Sequence, residues 1–295
     1  MLRFYGMVKN AVSVFQRGAP AAPAQNIMEI ADCDGQIRSL NAALRQKIKF
    51  GKRNMIRKTA QLYRLDTPGT TLLIDPLSAE YLYYGQRLVS GGTYESLRGG
   101  SRRLFSQFGI YEYTEQSVLF YNADGGFTTD FRLKKSRVLR KKPEIAGLPS
   151  SYGAKQTLEL EYCDAPAGVR LILRYSVFAD CDVIAVSAEL VNGSRRDIRV
   201  RRLCSLQLDL IGSSCEITTF EGEWGRERAR VRRTLNGGVF CNDSKRGESS
   251  HVRNPFMEVC GEDGSLYAFN LVYSGNHKEF VECDEFGRTR VLVGM

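Results

Sequence analysis

Histidine and tryptophan are nearly missing from this chain of 295 residues, which holds two histidines, His251 and His277, and one tryptophan, Trp224. Zinc sites draw mainly on His and Cys, and the eight cysteines (Cys33, Cys163, Cys181, Cys204, Cys215, Cys241, Cys260 and Cys283) contain no Cys-x-x-Cys pair. No metal and no cofactor is therefore expected. No apolar run approaches the ~20 residues needed to cross a bilayer, which argues against a membrane partner. A phosphate loop is lacking too, because Gly91-Gly92, Gly99-Gly100 and Gly237-Gly238 do not stand between a strand and a helix. The apolar pieces of Met1 to Gln16 are too short, and too broken by Lys9 and Asn10, for a secretory signal. Most cysteines lie in or beside apolar strand patterns, where a free thiol behaves as a small hydrophobe. Reduced thiols in a cytoplasmic protein are the reading.

What is present is ordinary globular material, 43% hydrophobic and 25% charged, with a net charge of +9. The charge is unevenly placed. Residues 1 to 60 hold 11 Lys+Arg against 3 Asp+Glu, and residues 61 to 295 hold 31 against 30. A neutral body gives no footprint for nucleic acid, so that partner is not expected. Two basic clusters remain, Lys134-Lys135 with Arg140-Lys141-Lys142, and Arg195-Arg196 with Arg199, Arg201 and Arg202. Both read as solvated strand faces or turns, with phosphate binding as the alternative.

Composition divides the chain at residue 54. Residues 1–54 form a basic, poorly structured arm by this reading, and two origins stand for it. One is a transit-like segment. The other, which is preferred, is untranslated sequence ahead of a start at Met55, since the codons of Gly51-Lys52-Arg53-Asn54 can be purine-rich like a bacterial ribosome-binding site. Residues 55–295 read as one β domain. Tyr63 to Pro68, Thr70 to Asp75, Tyr81 to Val89, Val118 to Tyr121 and Thr128 to Leu133 are strand-like, and Asp124-Gly125-Gly126 predicts a hairpin joining the last two. Thr157 to Tyr162, Val169 to Phe178, Val183 to Asn192 and Ile198 to Leu210 follow, with Asn192-Gly193 closing a second hairpin. Phe256 to Cys260, Leu266 to Tyr273, Phe280 to Asp284 and Thr289 to Val293 come last, turned at Asp263-Gly264 and Phe286-Gly287. A dozen or more antiparallel strands favour an all-β, large two-sheet sandwich over an eight-stranded barrel.

Phe220 to Phe256 concentrates the chemistry. Glu221 and Glu223, two apart, would share one face of an extended segment, and paired carboxylates are the working groups of glycosidases. Pairing with Arg226 or Arg228 is the plainer role. Alternation along a strand would likewise set Arg226 and Arg228 on the side of Trp224, joining a flat indole to two rigid guanidinium forks. This set suits a domain interface or the edge of a sugar site as well as an ordinary core tryptophan with solvated arginines. Ser250 and His251 are chain neighbours in a polar loop, which disfavours the hydroxyl-to-imidazole geometry of a nucleophilic triad. No catalytic residue is assigned. The candidates for a domain-facing or sugar-proximal surface are Trp224, Arg226, Arg228, Arg246, Ser250, His251 and Asn254.

Three blocks carry a family resemblance: Gly222-x-Trp224-x-Arg226-Glu227-Arg228; Arg246-Gly247-x-Ser249-Ser250-His251-x-x-Asn254-Pro255-Phe256; and Tyr267-x-Phe269-Asn270-Leu271-Val272-Tyr273-Ser274-Gly275-Asn276. Leu82-Tyr83-Tyr84-Gly85-x-Arg87, Thr129-Asp130-Phe131-Arg132 and Gly147-Leu148-Pro149 agree in order. Over residues 55 to 295 the chain resembles the N-terminal region of glycoside hydrolase family 36 α-galactosidases. The resemblance implies a large two-sheet antiparallel β-supersandwich of the galactose-mutarotase-like type, placed before a catalytic (β/α)8 barrel. It also implies a parent enzyme that hydrolyses terminal α-galactosides, such as raffinose and melibiose, with retention. The nucleophile and acid/base of that family are barrel aspartates without counterparts here, and the family continues with further sandwich strands where this sequence stops at Met295. The expectation is an N-terminal fragment that is inactive alone and is a scaffold for the barrel and for a homo-oligomer. A free-standing carbohydrate-binding module is the alternative.

Overall fold

The computed structural model describes residues 10–17, 54–89, 94–100, 102–109, 113–145, 147–249 and 251–294. Strands dominate them. The first nine are β1 (Asn10–Arg17), β2 (Ile56–Thr59), β3 (Leu62–Asp66), β4 (Thr70–Asp75), β5 (Glu80–Gln86), β6 (Val118–Tyr121), β7 (Arg132–Leu139), β8 (Gln156–Asp164) and β9 (Val169–Val177). The rest are β10 (Val183–Asn192), β11 (Arg199–Ile211), β12 (Cys215–Gly222), β13 (Ala229–Leu235), β14 (Gly238–Ser244), β15 (Val252–Gly261), β16 (Leu266–Leu271), β17 (His277–Cys283) and β18 (Arg288–Gly294). β-branched, aromatic and leucine residues at alternate positions drive these elements; β9, with Val169, Leu171, Leu173 and Tyr175 buried and Arg170, Ile172 and Arg174 between them less so, is typical.

Nine strands form one sheet in the order β13-β12-β15-β16-β1-β10-β9-β8-β7. Five form another, β14-β17-β18-β11-β6, and four a third, β2-β3-β4-β5. The long strand β11 is irregular between Val200 and Arg202 and between Cys204 and Leu206; its first part pairs with β6 and its second with β18. The five strands are thus two hydrogen-bonded units, and the described residues form four sheets in a propeller-like ring. The expected two-sheet supersandwich is corrected accordingly. Its physical reason is that among the described strands β2 to β5 pair only with one another, and that the register breaks in β11 interrupt what would have been a continuous ladder.

One hydrophobic core joins the sheets, drawing Leu65 and Ile74 from the four-stranded sheet, Leu158, Leu171 and Val186 from the nine-stranded one, and Leu206 and Val291 from the five-stranded one. Each such side chain contributes about 1.5–3 kcal/mol on burial. Across β11 and β18, Asp209 stands opposite Arg290, and both are enclosed in this interior.

Two expected hairpins are not formed. β6 pairs with β11 rather than with the segment after Gly126, and residues 128–131 are not strand. β10 and β11 flank Asn192-Gly193 but belong to different sheets, so this turn is a crossover. The hairpins at Asp263-Gly264 and Phe286-Gly287 do form, as β15–β16 and β17–β18. Where an unstructured arm was expected, Asn10–Arg17 lies between β10 and β16, hydrogen-bonded to both; the rest of that arm up to residue 53 lies outside the described residues. The outer strands of the nine-stranded sheet, β7 (RLKKSRVL) and β13 (ARVRRTL), are basic. Charge on an edge strand discourages pairing with another chain, so Lys134 and Lys135 do lie on a solvated strand. Among the described residues no helix is long and apolar enough to cross a membrane.

Candidate functional site

The turn from β12 into β13 depends on one glycine. Gly222 has φ 150°, and a Cβ there would lie 2.0 Å from the carbonyl oxygen of Arg226. Only glycine lets the chain fold back this tightly. The turn closes with the Arg226 amide donating to the Glu223 carbonyl at 2.8 Å, and Arg228 takes the left-handed conformation with φ 60°. Trp224, 89% exposed, therefore stands on a hairpin tip together with Arg226 and Arg228. Strand alternation, expected to set these three on one face, does not apply to them, because residues 223–228 are turn. The side chains of Arg226 and Arg228 form no ion pair among the described residues.

The second loop of candidates meets this tip. Gly222 pairs with Val252, and Glu221 with Arg253, which brings His251 beside the hairpin. Val252 has φ 72°, a rare conformation for a β-branched residue. His251 is half-buried, with Nδ1 3.7 Å from Glu248 Oε2, and its carbonyl accepts from Ser244 Oγ at 2.7 Å. Arg246 is exposed in the loop, which is pinned where the Gly247 amide donates to Asn276 Oδ1 at 2.8 Å and the Ser249 amide to the Ser274 carbonyl at 3.1 Å. Ser250 lies outside the described residues. Asn254 is on β15, and its backbone carbonyl accepts from Asn242 Nδ2 at 2.9 Å. The structure thus gathers Trp224, Arg226, Arg228 and His251 at one end of the β12–β15 pair.

Behind them lies a polar layer that sequence reasoning missed. Glu221 Oε1 accepts from Arg233 Nη2 at 2.7 Å and from Arg253 Nε at 3.1 Å. Both guanidiniums also sit 5.3 Å from the centre of the Phe240 ring, so the carboxylate and the ring are held by the same two cations. Arg253 further donates to the Cys241 carbonyl. Deeper still, Asn242 Nδ2 donates to Glu279 Oε2 at 2.7 Å, and His277 is enclosed. Burial pushes the Glu279 carboxyl up to about 8 and the His277 imidazole down to about 4. Both groups are neutral near pH 7. Arg233 and Arg253 are 12 and 32 residues from Glu221, separations that carry no periodic signal in the sequence.

The chemistry of this arrangement is that of a contact surface. Glu221 is engaged by Arg233 and Arg253, while Glu223 is in the turn, so the two do not form a carboxylate pair on one strand face. Outward, the site presents an indole face and several guanidinium forks, groups that suit carboxylates, hydroxyls and aromatic rings on a neighbour.

Residues 78–295 match the profile of the glycosyl hydrolase family 36 N-terminal domain. The chain is 35% identical over 181 residues to alpha-galactosidase AgaA of Geobacillus stearothermophilus, covering 58% of this chain and 25% of that protein. It is 30% identical over 223 residues to alpha-galactosidase Mel36A of Lactobacillus acidophilus, covering 71% of this chain and 30% of the relative. Among solved structures, the family 36 α-galactosidase AgaB of G. stearothermophilus superposes with a TM-score of 0.74 at 26% identity, over 81% of this chain and 37% of that one. The galactosidase domain of the α-galactosidase–sucrose kinase AgaSK matches with a TM-score of 0.73 at 26% identity, over 81% and 38%. The chain thus spans about a quarter to two-fifths of the relatives it matches. With the profile matched over most of its length and its fold shared with solved members, this chain belongs to glycosyl hydrolase family 36, of which it carries the N-terminal domain.

Proposed function

We propose that this chain is the non-catalytic N-terminal part of a cytoplasmic α-galactosidase, and that the end bearing Trp224, Arg226, Arg228 and Arg246 packs against a catalytic barrel and supports assembly of the oligomer. The observation that carries this reading is the family match over residues 78–295, confined to a quarter or so of the curated relatives' length. Retaining glycosidases need two carboxyl groups about 5–5.5 Å apart, one as nucleophile and one as acid/base. At the candidate site Glu221 is neutralised by two arginines and Glu279 is enclosed, which leaves neither available to a glycosidic bond. The seven described cysteines are all free, in keeping with a reducing compartment.

The test is turnover of a chromogenic α-galactoside by the purified chain. None is expected, and measurable hydrolysis that survives further purification overturns the reading.

The exposure of Trp224 favours one second reading, a carbohydrate-binding surface in which the indole stacks on a galactose ring while Arg226 and Asn254 hold its hydroxyls. Titrating galactose or raffinose while following the single tryptophan's fluorescence separates the two. A saturable change supports sugar binding, and an unchanged spectrum at high millimolar sugar supports a purely structural face.

A further inference from the structure

In the connection between β7 and β8, residues 140–145, 148 and 150–155 border a concavity of about 650 Å³ that shares no lining residue with the candidate site. Among the described residues four cations line it, Arg140, Lys141, Lys142 and Lys155, with Glu144 as the only carboxylate. None of these five makes an ion pair among the described residues. Lys142 is half-buried, and its ammonium donates to Ser150 Oγ, to the Ser151 carbonyl at 3.1 Å and to Ser151 Oγ at 3.1 Å. Three neutral acceptors satisfy its three donors and leave its charge uncompensated. Both serine hydroxyls accept from Lys142, so their own protons point away from it, and among the described residues neither proton has an acceptor. Two serine hydroxyls and three further cations thus line the hollow.

The loop is held ready. Ile145 is buried beneath it, Pro143 and Pro149 restrict its backbone, and the Lys155 amide donates to the Val177 carbonyl at 2.8 Å, tying its end to the nine-stranded sheet. Burial lowers the Lys142 pKa, as expected of an ammonium that lacks a counter-charge. Tyr152, 88% exposed, presents its ring to one side.

We propose that this loop is a binding site for a phosphomonoester dianion, with Arg140, Lys141 and Lys155 supplying mobile charge, Lys142 fixed charge, and Ser150 and Ser151 the hydroxyl donors. A volume of about 650 Å³ lies within the ~300–1,000 Å³ of small-molecule sites and holds a phosphate together with a hexose ring. Tyr152 offers that ring an apolar face. The ligand class is therefore a sugar phosphate. The inference is independent of the α-galactosidase reading, because the loop shares no residue with the candidate site.

The test titrates the full chain at low ionic strength with inorganic phosphate, a hexose 6-phosphate and the unphosphorylated hexose, followed by calorimetry and phosphorus NMR. Saturable binding of the hexose phosphate, tighter than that of phosphate, with none by the hexose, is expected, and it should weaken as salt rises. Arg140→Gln and Lys155→Gln alter exposed side chains that hold nothing in the fold, and each should weaken binding about tenfold. Lys142→Gln should abolish binding, with circular dichroism reporting whether the loop has also rearranged. The proposal is overturned if the folded chain binds neither phosphate below tens of millimolar, or if the Arg140→Gln, Lys155→Gln double variant binds as the parent does. It is equally overturned if the same variants lose affinity for duplex nucleic acid while the sugar phosphate gives no signal.

Discussion

Replacing Arg290 by methionine isolates the energetics of the enclosed ion pair between β11 and β18. Arg290 Nε lies 2.7 Å from Asp209 Oδ1 and Nη2 3.0 Å from Oδ2, with the two side chains 1% and 0% exposed. The guanidinium also donates to Thr114 Oγ1 at 2.6 Å and to the Glu115 carbonyl at 3.4 Å. Without it, Asp209 keeps among the described residues only neutral donors, Gln207 Nε2 at 3.2 Å and the Arg103 amide at 3.3 Å. A carboxylate stranded in this way costs about 3–5 kcal/mol, a large part of the ~5–15 kcal/mol that a domain has to lose. The double variant Arg290→Met, Asp209→Leu removes both charges and should recover most of that loss. Urea unfolding of parent, both single variants and the double variant at pH 7 gives the coupling energy. A loss below about 1 kcal/mol for Arg290→Met, or a double variant as unstable as the sum of the singles, would refute the claim that the unpaired charge dominates.

Stability should also depend on pH through Glu279 and His277. The folded carboxyl of Glu279 is raised to about 8, so the folded chain holds a proton that the unfolded chain releases; stability falls as pH rises from the ordinary glutamate range to about 8. His277, lowered to about 4, acts in the opposite sense, since the unfolded chain takes up the proton, and stability rises with pH up to the ordinary histidine value near 6.5. Of these two groups only Glu279 titrates above that value, and Glu279→Gln should remove its share of the pH dependence in urea unfolding of parent and variant compared from pH 6.5 to 8.5. Gly222→Ala forces a Cβ into the Arg226 carbonyl at a φ unsuited to alanine and should cost about 2–5 kcal/mol, read as a lowered denaturation midpoint. Cys215 and Cys283 place their sulfurs 3.7 Å apart between the nine- and five-stranded sheets, and Cys283 is the more acidic because Cys215 and Thr289 hydrogen-bond to it. Diamide should take two hydrogens from this pair and join them. Closing a loop of 68 residues this way should stabilise the chain by about 4 kcal/mol, seen as a raised melting temperature that dithiothreitol reverses.

Local strand patterns were legible where a run of apolar and β-branched residues is set off by turn residues, as in β4 and β10, which are buried over most of their length and whose bounds coincide with Thr70 to Asp75 and Val183 to Asn192. Turns were legible where the partner is the next strand, as at Asp263-Gly264. What the residues did not disclose is partnership at a distance. Asn192-Gly193 has hairpin chemistry, yet the strands on its two sides enter different sheets because β11 finds β6 and β18 instead. The same limit applies to the candidate site. Trp224 was visible as the single indole, but Gly222 was needed to reveal that its neighbourhood is a turn, and the Arg233–Glu221–Arg253 cluster exists only through the pairing of β12 with β13 and β15.

The position of β1 governs the order in which this chain can complete itself. Its hydrogen-bonding partners are residues 183–192 and 266–271, so the earliest of the described strands to be synthesised is the one that waits longest for both neighbours. At ~5–20 residues per second, roughly 13 to 50 seconds separate its synthesis from that of its second partner. Once residues 183–192 have emerged β1 has one partner, but its other ladder stays open until residues 266–271 follow, and only then are the two halves of the nine-stranded sheet joined through it. Pairing at such sequence separation makes the final closure slow relative to the local hairpins. Strand β1 is thus the seam of the sheet, and a chain released before residue 271 would carry that seam unsewn.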